Sequence, residues 1–541
     1  MFSQPQASAQ TPSVIIPEWN IFEREFKSSH LYQDPLHDVS FEIVFRSPSG
    51  KERAVEGFWD GSDRWKVRFS PDETGEWTYH VRPSPTSDKA WLGIQGVFEC
   101  VPYSGSNKLY ARGAVGLSAN KRYLEQADGT PFFWLSDTAW NGPLKADEKS
   151  WAMYLEDRQI KGFTAVQFVT TQWIAATSDA DGRCAYSTEH GFAVDPEFFR
   201  RMDKQIEAIN LHGMIAAPVL IWDVNPGSRP PALNPGTSLS DDQIVTLAKY
   251  QVARFGAYQV AWIPAGDGDY VGDQAKRWSK IGRAVFGENP SRIVTLHPGG
   301  QQWVAPEFEE EPWFGFVSYQ SGHGDAQSDF RWLTSGPASK GWDRPRVHPI
   351  INLEPNYEGH LSYQGRKPFD AHAVRRAAYW SLLITPVAGV AYGAHGVWSW
   401  ESTSAVPMNH EITGVAPAWS AALKFPGSTD MKYLKDFFDS LHWWTLRPAP
   451  ELLMEQPGAK DAAQFVAAAE SETEDWAVLY FPVGQKVQLN ARKLAKPAVV
   501  RWFNPSTGQW QGKEQTFGNS GELAAPDGGD WVGWIGKPAA H

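Results

Sequence analysis

"INLEPNYEGH", residues 351–360, closes an apolar run that begins at His348 and places a carboxylate, Glu354, at its end. Pro355 then stops the strand, because it brings no N–H to a ladder, and a second acid, Glu358, follows. An acid where a buried strand ends has two readings. It caps a turn, or it is one half of a catalytic pair. The second reading requires a partner acid at a matching strand end elsewhere.

Working outward, residues 110–445 alternate short apolar runs with helical stretches, the rhythm of a βαβα chain. Eight runs qualify as strands: "FFWLSD" (132–137), "AVQFVT" (165–170), "IAAPVLIW" (215–222), "VAWIPAGD" (260–267), "RIVTLHP" (292–298), "FGFVSYQ" (314–320), "HPIINLEP" (348–355) and "GVAYGAHGVWSW" (389–400). Most are nearly continuously apolar, as parallel strands buried on both faces are. Between them, "DEKSWAMYLEDRQIKG" sets Trp151, Tyr154, Leu155 and Ile160 on one helical face, and "DPEFFRRMDKQIEAINLHG" does so with Phe198, Met202, Ile206 and Ile209. "SLSDDQIVTLAKYQVARFG" opens on capping residues and ends at Gly256. The helices of the fifth and sixth units are not placed by pattern. "TDMKYLKDFFDSL" (429–441) closes the series. Eight such units predict a (β/α)8 TIM barrel with insertions.

The flanks read differently. Residues before the barrel carry short alternating runs, "VSFEIVFRSPSG", "RWKVRFSPDETGEWTYHVRPS" and "GIQGVFECVP", with "SPDETGEW" as a turn; those after it carry "DWAVLYFPVG", "AVVRWFNPSTGQW" and "DWVGWIG". Both are patterns of small β-sandwiches. The expected organisation is a multidomain α/β plus β chain: an N-terminal β-sandwich at 14–105, a (β/α)8 barrel at 106–446 and a C-terminal β-sandwich at 447–541, with a loose "GKPAAH" tail.

In such a barrel the active site lies at the C-terminal ends of the strands, and here every strand exits into polar or aromatic residues. In chain order these include Asp137 and Trp140; Gln167 and Trp173; Trp222; Asp267, with Asp269 beyond it; His297; Gln320 and His323; Glu354 and Tyr357; and Tyr392, His395 and Trp398. Together they describe a cup lined with acids, histidines and tryptophans. Strands four and seven face each other across the ring, so the partner of Glu354 is Asp267, with Asp269 as its competitor. Two such carboxylates can cleave a glycosidic bond, one protonating the leaving oxygen and the other attacking the anomeric carbon or activating water. Mutual repulsion helps separate their pKa values. Asp267 is expected as acid/base and Glu354 as nucleophile; this arrangement resembles that of the large clan of retaining (β/α)8 glycosidases, and the resemblance implies carboxyls about 5–5.5 Å apart and net retention.

The remaining polar residues are expected to bind sugar hydroxyls: Asp137, Gln167, His297, His323, Tyr357, Tyr392 and His395, with Trp140, Trp173, Trp222 and Trp398 as platforms or core. For Asp137 the competing reading is the N-cap of a following turn. Glu358 reads as a supporting or surface acid. Three strand-end histidines raise a metal site, but no H-E-x-x-H or equivalent spacing is present; no metal and no cofactor are expected.

Composition agrees. The chain has 541 residues, 27 of them Trp, with 13% aromatic residues in all, and Trp offers the flat apolar face on which sugar rings stack. A net charge of −12 disfavours a nucleic-acid partner, and no apolar run is long enough to span a membrane. Cys100 and Cys184 are expected as separate thiols. The first residues lack an apolar signal core, yet Ala7-Ser8-Ala9 has the small-x-small form of a cleavage site; a secreted or periplasmic protein with a trimmed leader is expected, otherwise a cytoplasmic one. Oligomeric state is not legible.

"FFWLSDTAW", "WIPAGD" and "NLEPNYE" resemble the motifs of the apiosidase-like glycoside hydrolases, in which "gDTaW", "W-x-x-G-G-D" and "x-x-E-P-x-Y-E" follow strands one, four and seven. The resemblance covers roughly 110–445. It implies a (β/α)8 barrel behind a β-sandwich and ahead of a small β domain, with Asp267 as acid/base and Glu354 as nucleophile. The chain departs from the pattern at Ala265, which replaces the first Gly, and at Gly268-Asp269. The implied substrate class is a terminal sugar, with furanosides such as apiose among the candidates, on an oligo- or polysaccharide or glycoside. A carbohydrate-binding or adhesion protein on a barrel scaffold is the alternative.

Overall fold

The computed structural model describes residues 14–224, 233–288, 290–344, 346, 348–490, 497–518 and 521–537. The Ala7-Ser8-Ala9 motif and the last four residues of the expected loose tail lie outside them.

The central domain is an eight-stranded parallel sheet curled into a TIM barrel. Its strands are β1 (Trp134–Thr138), β2 (Ala165–Val169), β3 (Ile215–Trp222), β4 (Ile263–Gly268), β5 (His297–Pro298), β6 (Val317–Gln320), β7 (Ile350–Glu354) and β8 (Gly389–Gly393). Neighbours pair in sequence order from β1 to β5 and from β6 to β8, with β8 closing on β1. The β5–β6 seam is closed by single bonds: Gly315 N donates to Val294 O at 2.8 Å and Gln301 N to Gln320 O at 2.9 Å. β1, β2, β3 and β8 are buried at every residue, which is why they read as unbroken apolar text.

Two expected strands shorten for identifiable reasons. Residues 292–298 form ladder only at His297–Pro298. Trp262 N donates to Ile293 O and Trp262 O accepts from Thr295 N, but two residues further along β4 stands Pro264, which has no N–H to continue the ladder. The run 389–400 ends as strand at Gly393, because Gly396 and Trp400 both take positive φ and turn the chain.

The helices fall where periodicity placed them: Glu148–Ile160, Pro196–Leu211 and Asp241–Phe255, the last with a full capping box at Ser240 and Gln243. Ile160 is the exception on its face, lying exposed at the helix end. The fifth unit supplies only Ala305–Phe308, and the sixth splits into Gln327–Ser335 and Pro337–Gly341, too short to show a periodic stripe.

Largely antiparallel β structure flanks the barrel on both sides. N-terminally, a five-stranded and a three-stranded sheet close on a core of Phe22, Phe45, Phe69, Trp77 and Phe98. C-terminally, a six-stranded and a two-stranded sheet close on Leu479, Phe481, Trp502 and Trp531. Buried ions join the units. Asp203 accepts from Arg68 at 2.7 Å and Arg254 at 2.6 Å, and Arg375 binds Asp430 at 2.7 Å and Asp530 at 2.8 Å. Breaking such a buried pair costs about 3–5 kcal/mol. Cys100 and Cys184 are free thiols.

Candidate active site

Two irregularities in the barrel aim its polar residues. At the end of β4, Gly266 pairs with His297 and Gly268 with Pro298, so Asp267 is an extra residue. It adopts φ +64°, a left-handed conformation that Asp tolerates better than most residues. Its neighbours must be glycine: a Cβ on Gly266 would lie 2.8 Å from Val219, and one on Gly268 would lie 2.4 Å from the Tyr270 ring. The bulge therefore takes Asp267 out of strand alternation. A second register shift, between Tyr319 and Gln320, pairs Gln320 with Glu354 across β6 and β7.

Both acids open onto one cavity of about 490 Å³, which is also lined by Trp140, Trp173, Trp222, Trp398, Tyr357 and Tyr363. The indoles brace one another: Trp173 and Trp222 have centroids 4.3 Å apart, and Trp140 stands edge-on to Trp222 at 5.5 Å. Asp269 is not part of the lining, so Asp267 is the strand-four acid on the cavity.

Glu354 is held by three groups. Tyr357 donates its hydroxyl at 2.7 Å, His323 Nε2 lies at 3.1 Å and His297 Nε2 at 3.6 Å. The Tyr357 backbone N–H points at His323 Nδ1, 3.4 Å away, which makes Nδ1 the acceptor and Nε2–H the donor to Glu354. Burial pushes the Glu354 carboxyl up, but the hydrogen bond and electrostatic pull of His323, the pull of His297 and the Tyr357 hydroxyl outweigh it and hold the group below the usual glutamate range. Burial pushes the His297 imidazole down against the pull of Glu354. Asp267 accepts from Gln320 Nε2 at 2.8 Å, and that same nitrogen lies 3.3 Å from His297 Nδ1. Asp267, Gln320, His297 and Glu354 thus form one connected row.

Eight of the residues expected from sequence meet at this cavity: Asp267, Glu354, Trp140, Trp173, Trp222, His323, Tyr357 and Trp398. The other five do not line it. Asp137 is fully buried, its Oδ2 accepting from Tyr154 at 2.7 Å and Arg158 at 2.6 Å; these side chains, and neither a helix N-terminus nor the cavity, engage it. Gln167 donates to Thr138 Oγ1 and Leu353 O. Tyr392 donates to Glu358 at 2.6 Å, and Glu358 also takes the Gly427 N–H, so both are supports. His395 accepts from Trp398 Nε1 and reaches Gly414 O. His297 stands behind Glu354, with Trp140 edge-on at 5.1 Å.

Sequence reading gave Gln320 no role and missed His360, Tyr363 and His410 as lining residues. Gln320 was visible as the last residue of a strand. The others sit on loops after β7 and β8, where no period marks a functional position. Among the described residues no group of three or more His, Cys, Asp or Glu is placed to hold a metal ion, and no helix is long and apolar enough to cross a membrane.

Two carboxylates on one aromatic-walled cavity, at the C-terminal ends of β4 and β7, are the groups that glycosidic cleavage uses. Residues 118–445 match the family model "Apiosidase-like, catalytic domain". Residues 15–84 match a domain of unknown function, and residues 448–533 a domain provisionally described as the collagen-binding domain of a collagenase. No curated protein matches the sequence. Among solved structures, a glycoside hydrolase family 5 protein from Bacteroides vulgatus ATCC 8482 superposes with a TM-score of 0.68 at 20% identity, covering 81% of this chain and 96% of the other. A second crystal structure from the same organism gives 0.70 at 19% identity, covering 97% and 100%. At such identities these likenesses speak for the fold alone. The family model spans the whole barrel, including both acids and the walls between them, and on that ground the chain belongs to the apiosidase-like glycoside hydrolases and is a glycosidase.

Proposed function

We propose that this glycosidase removes a terminal sugar, a pentofuranoside such as apiose being the first candidate, with retention of anomeric configuration. The observation that carries the reading is the shared cavity of Asp267 and Glu354, which gives one sugar bond access to both acids.

The surroundings of Glu354 support its role as nucleophile, which leaves the proton transfer to Asp267. Glu354 is ionised at neutral pH and oriented by Tyr357 and His323, as a nucleophile must be. It attacks the anomeric carbon as the bond to the leaving oxygen breaks, and Asp267 delivers its proton to that oxygen. Asp267, now a carboxylate, then takes a proton from water; the water oxygen attacks the same carbon and releases Glu354. The Gln320 amide holds Asp267 in both states. The cavity volume suits one or two sugar rings, which favours attack at a chain end. A glycan substrate of this kind goes with a secreted or periplasmic protein.

The test is a panel of aryl pentosides and hexosides, furanose and pyranose, backed by plant and bacterial polysaccharides. The reading expects at least one hit that is lost in both Asp267→Asn and Glu354→Gln, with the first-formed product anomer, read by NMR, matching the substrate. A hit that survives both substitutions, or an inverted first product, overturns it.

A further inference from the structure

His360, the last residue of "INLEPNYEGH", stands one ring away from Glu354. Its imidazole stacks on that of His323, with centroids 4.1 Å apart and planes at 25°, and His323 Nε2 lies 3.1 Å from Glu354. His360 is 2% exposed and lines the cavity. Its backbone is fixed on both sides: His360 N donates to Tyr357 O at 3.2 Å, and His360 O accepts from Phe369 N at 3.0 Å. A strap after β8, residues 402–418, supplies His410, Ile412 and Thr413 to the cavity wall and holds the next residue, with Leu361 N donating to Thr413 O at 3.1 Å. The strap itself is anchored by Asn409, whose side-chain amide donates to Ile174 O at 2.7 Å.

The His360 imidazole has one nitrogen to spare. Nδ1 lies 2.6 Å from Leu361 O; a carbonyl only accepts, so Nδ1 carries the proton. Burial, with His323 and His395 beside it, pushes the imidazole well below its usual pKa, so the ring is neutral and Nε2 is an acceptor. Nε2 has no partner among the described residues. An acceptor that a ligand covers without supplying a hydrogen is costly, so this wall of the cavity favours a ligand that brings a hydroxyl to it.

We propose that His360 helps determine which sugar is cleaved: its Nε2 accepts a hydrogen bond from one hydroxyl of the ring that Glu354 attacks, and a sugar lacking that hydroxyl is a poor substrate. The inference rests on the glycosidase reading above. The hydroxyl belongs to the attacked ring rather than to the leaving group, because His360 stands against the residue that holds Glu354. A site built to take a hydroxyl rejects the analogue without it far more strongly than an apolar wall rejects an extra group.

The test is a monodeoxy series. Each hydroxyl of 4-nitrophenyl apioside, or of the 4-nitrophenyl panel glycoside that the wild type turns over in its place, is removed in turn. Values of kcat/KM are measured for wild type and for His360→Phe and His360→Gln variants with unchanged melting temperatures. Phe keeps a flat ring against His323 without the acceptor; Gln returns an acceptor oxygen near the place of Nε2. The parent compound is expected to fall by about tenfold to a hundredfold in His360→Phe. One deoxy compound should show a loss of that size in the wild type and none in His360→Phe, and His360→Gln should recover part of both. A variant that slows every member by the same factor, leaving each ratio to the parent unchanged, makes the ring merely structural and overturns the proposal. So does a wild type indifferent to every deletion, a result that needs no variant to fold. Both outcomes leave the glycosidase reading intact; a wild type that turns over no panel member overturns both.

Discussion

Gln320 donates its side-chain amide to Asp267 at 2.8 Å while its backbone stands in register with Glu354 on the neighbouring strand. One residue thus ties the two acids to a common frame, through a bulge in β4 and a register shift between β6 and β7.

Removing that amide loosens Asp267 without removing it. Gln320→Ala is expected to lower kcat by about tenfold, a modest share of the 10²–10⁴ that a positioned acid supplies. The loss should be larger for alkyl leaving groups, which need the proton, than for nitrophenyl ones, which do not. An equal loss for both classes assigns Gln320 a merely structural role.

The two acids should differ in the same way. Glu354→Gln is expected to lose at least about 10³-fold on every substrate, since bond formation to carbon is always required. Asp267→Asn is expected to lose about 10²–10⁴-fold on substrates with poor leaving groups and far less on dinitrophenyl glycosides. Steady-state rates across a leaving-group series check both.

The pH profile tests what holds Glu354. Its carboxyl lies below the ordinary glutamate value because His323, His297 and Tyr357 outweigh burial. Activity needs the ionised form, so the acid limb of kcat/KM should fall below that value. His323→Ala removes the largest opposing group and leaves burial less opposed, so the Glu354 pKa rises and the acid limb moves to higher pH. An unmoved limb contradicts this account of the pocket.

Asp137 should behave as a structural residue. Asp137→Asn leaves buried Arg158 with only the half-buried Asp157 as a charge partner and is expected to cost about 3 kcal/mol, seen in denaturant unfolding, with KM unchanged in the protein that remains folded. A raised KM with normal stability restores Asp137 to sugar binding.

The barrel was legible because its strands are buried on both faces and its helices keep period and caps, as at Ser240 and Asp147. Glu354 was legible because an apolar run ended on it. The arrangement of Asp137, Gln167 and Tyr392 was not. Their strand positions resemble those of Asp267 and Trp140, and only packing reveals that Arg158, Leu353 O and Glu358 claim them. The strap was hidden for another reason. Its residues follow neither a helical nor a strand period, and what places them is a set of single anchors such as Asn409 on Ile174 O.

Azide rescue tests the division of labour between Asp267 and Glu354 most directly. With an activated aryl glycoside, Glu354→Ala plus azide should form the glycosyl azide of inverted configuration, because azide takes the nucleophile's place on the opposite face. Asp267→Ala plus azide should form the retained azide, by attack on the glycosylated Glu354. The reverse pairing, or no rescue of either variant, contradicts the assignment.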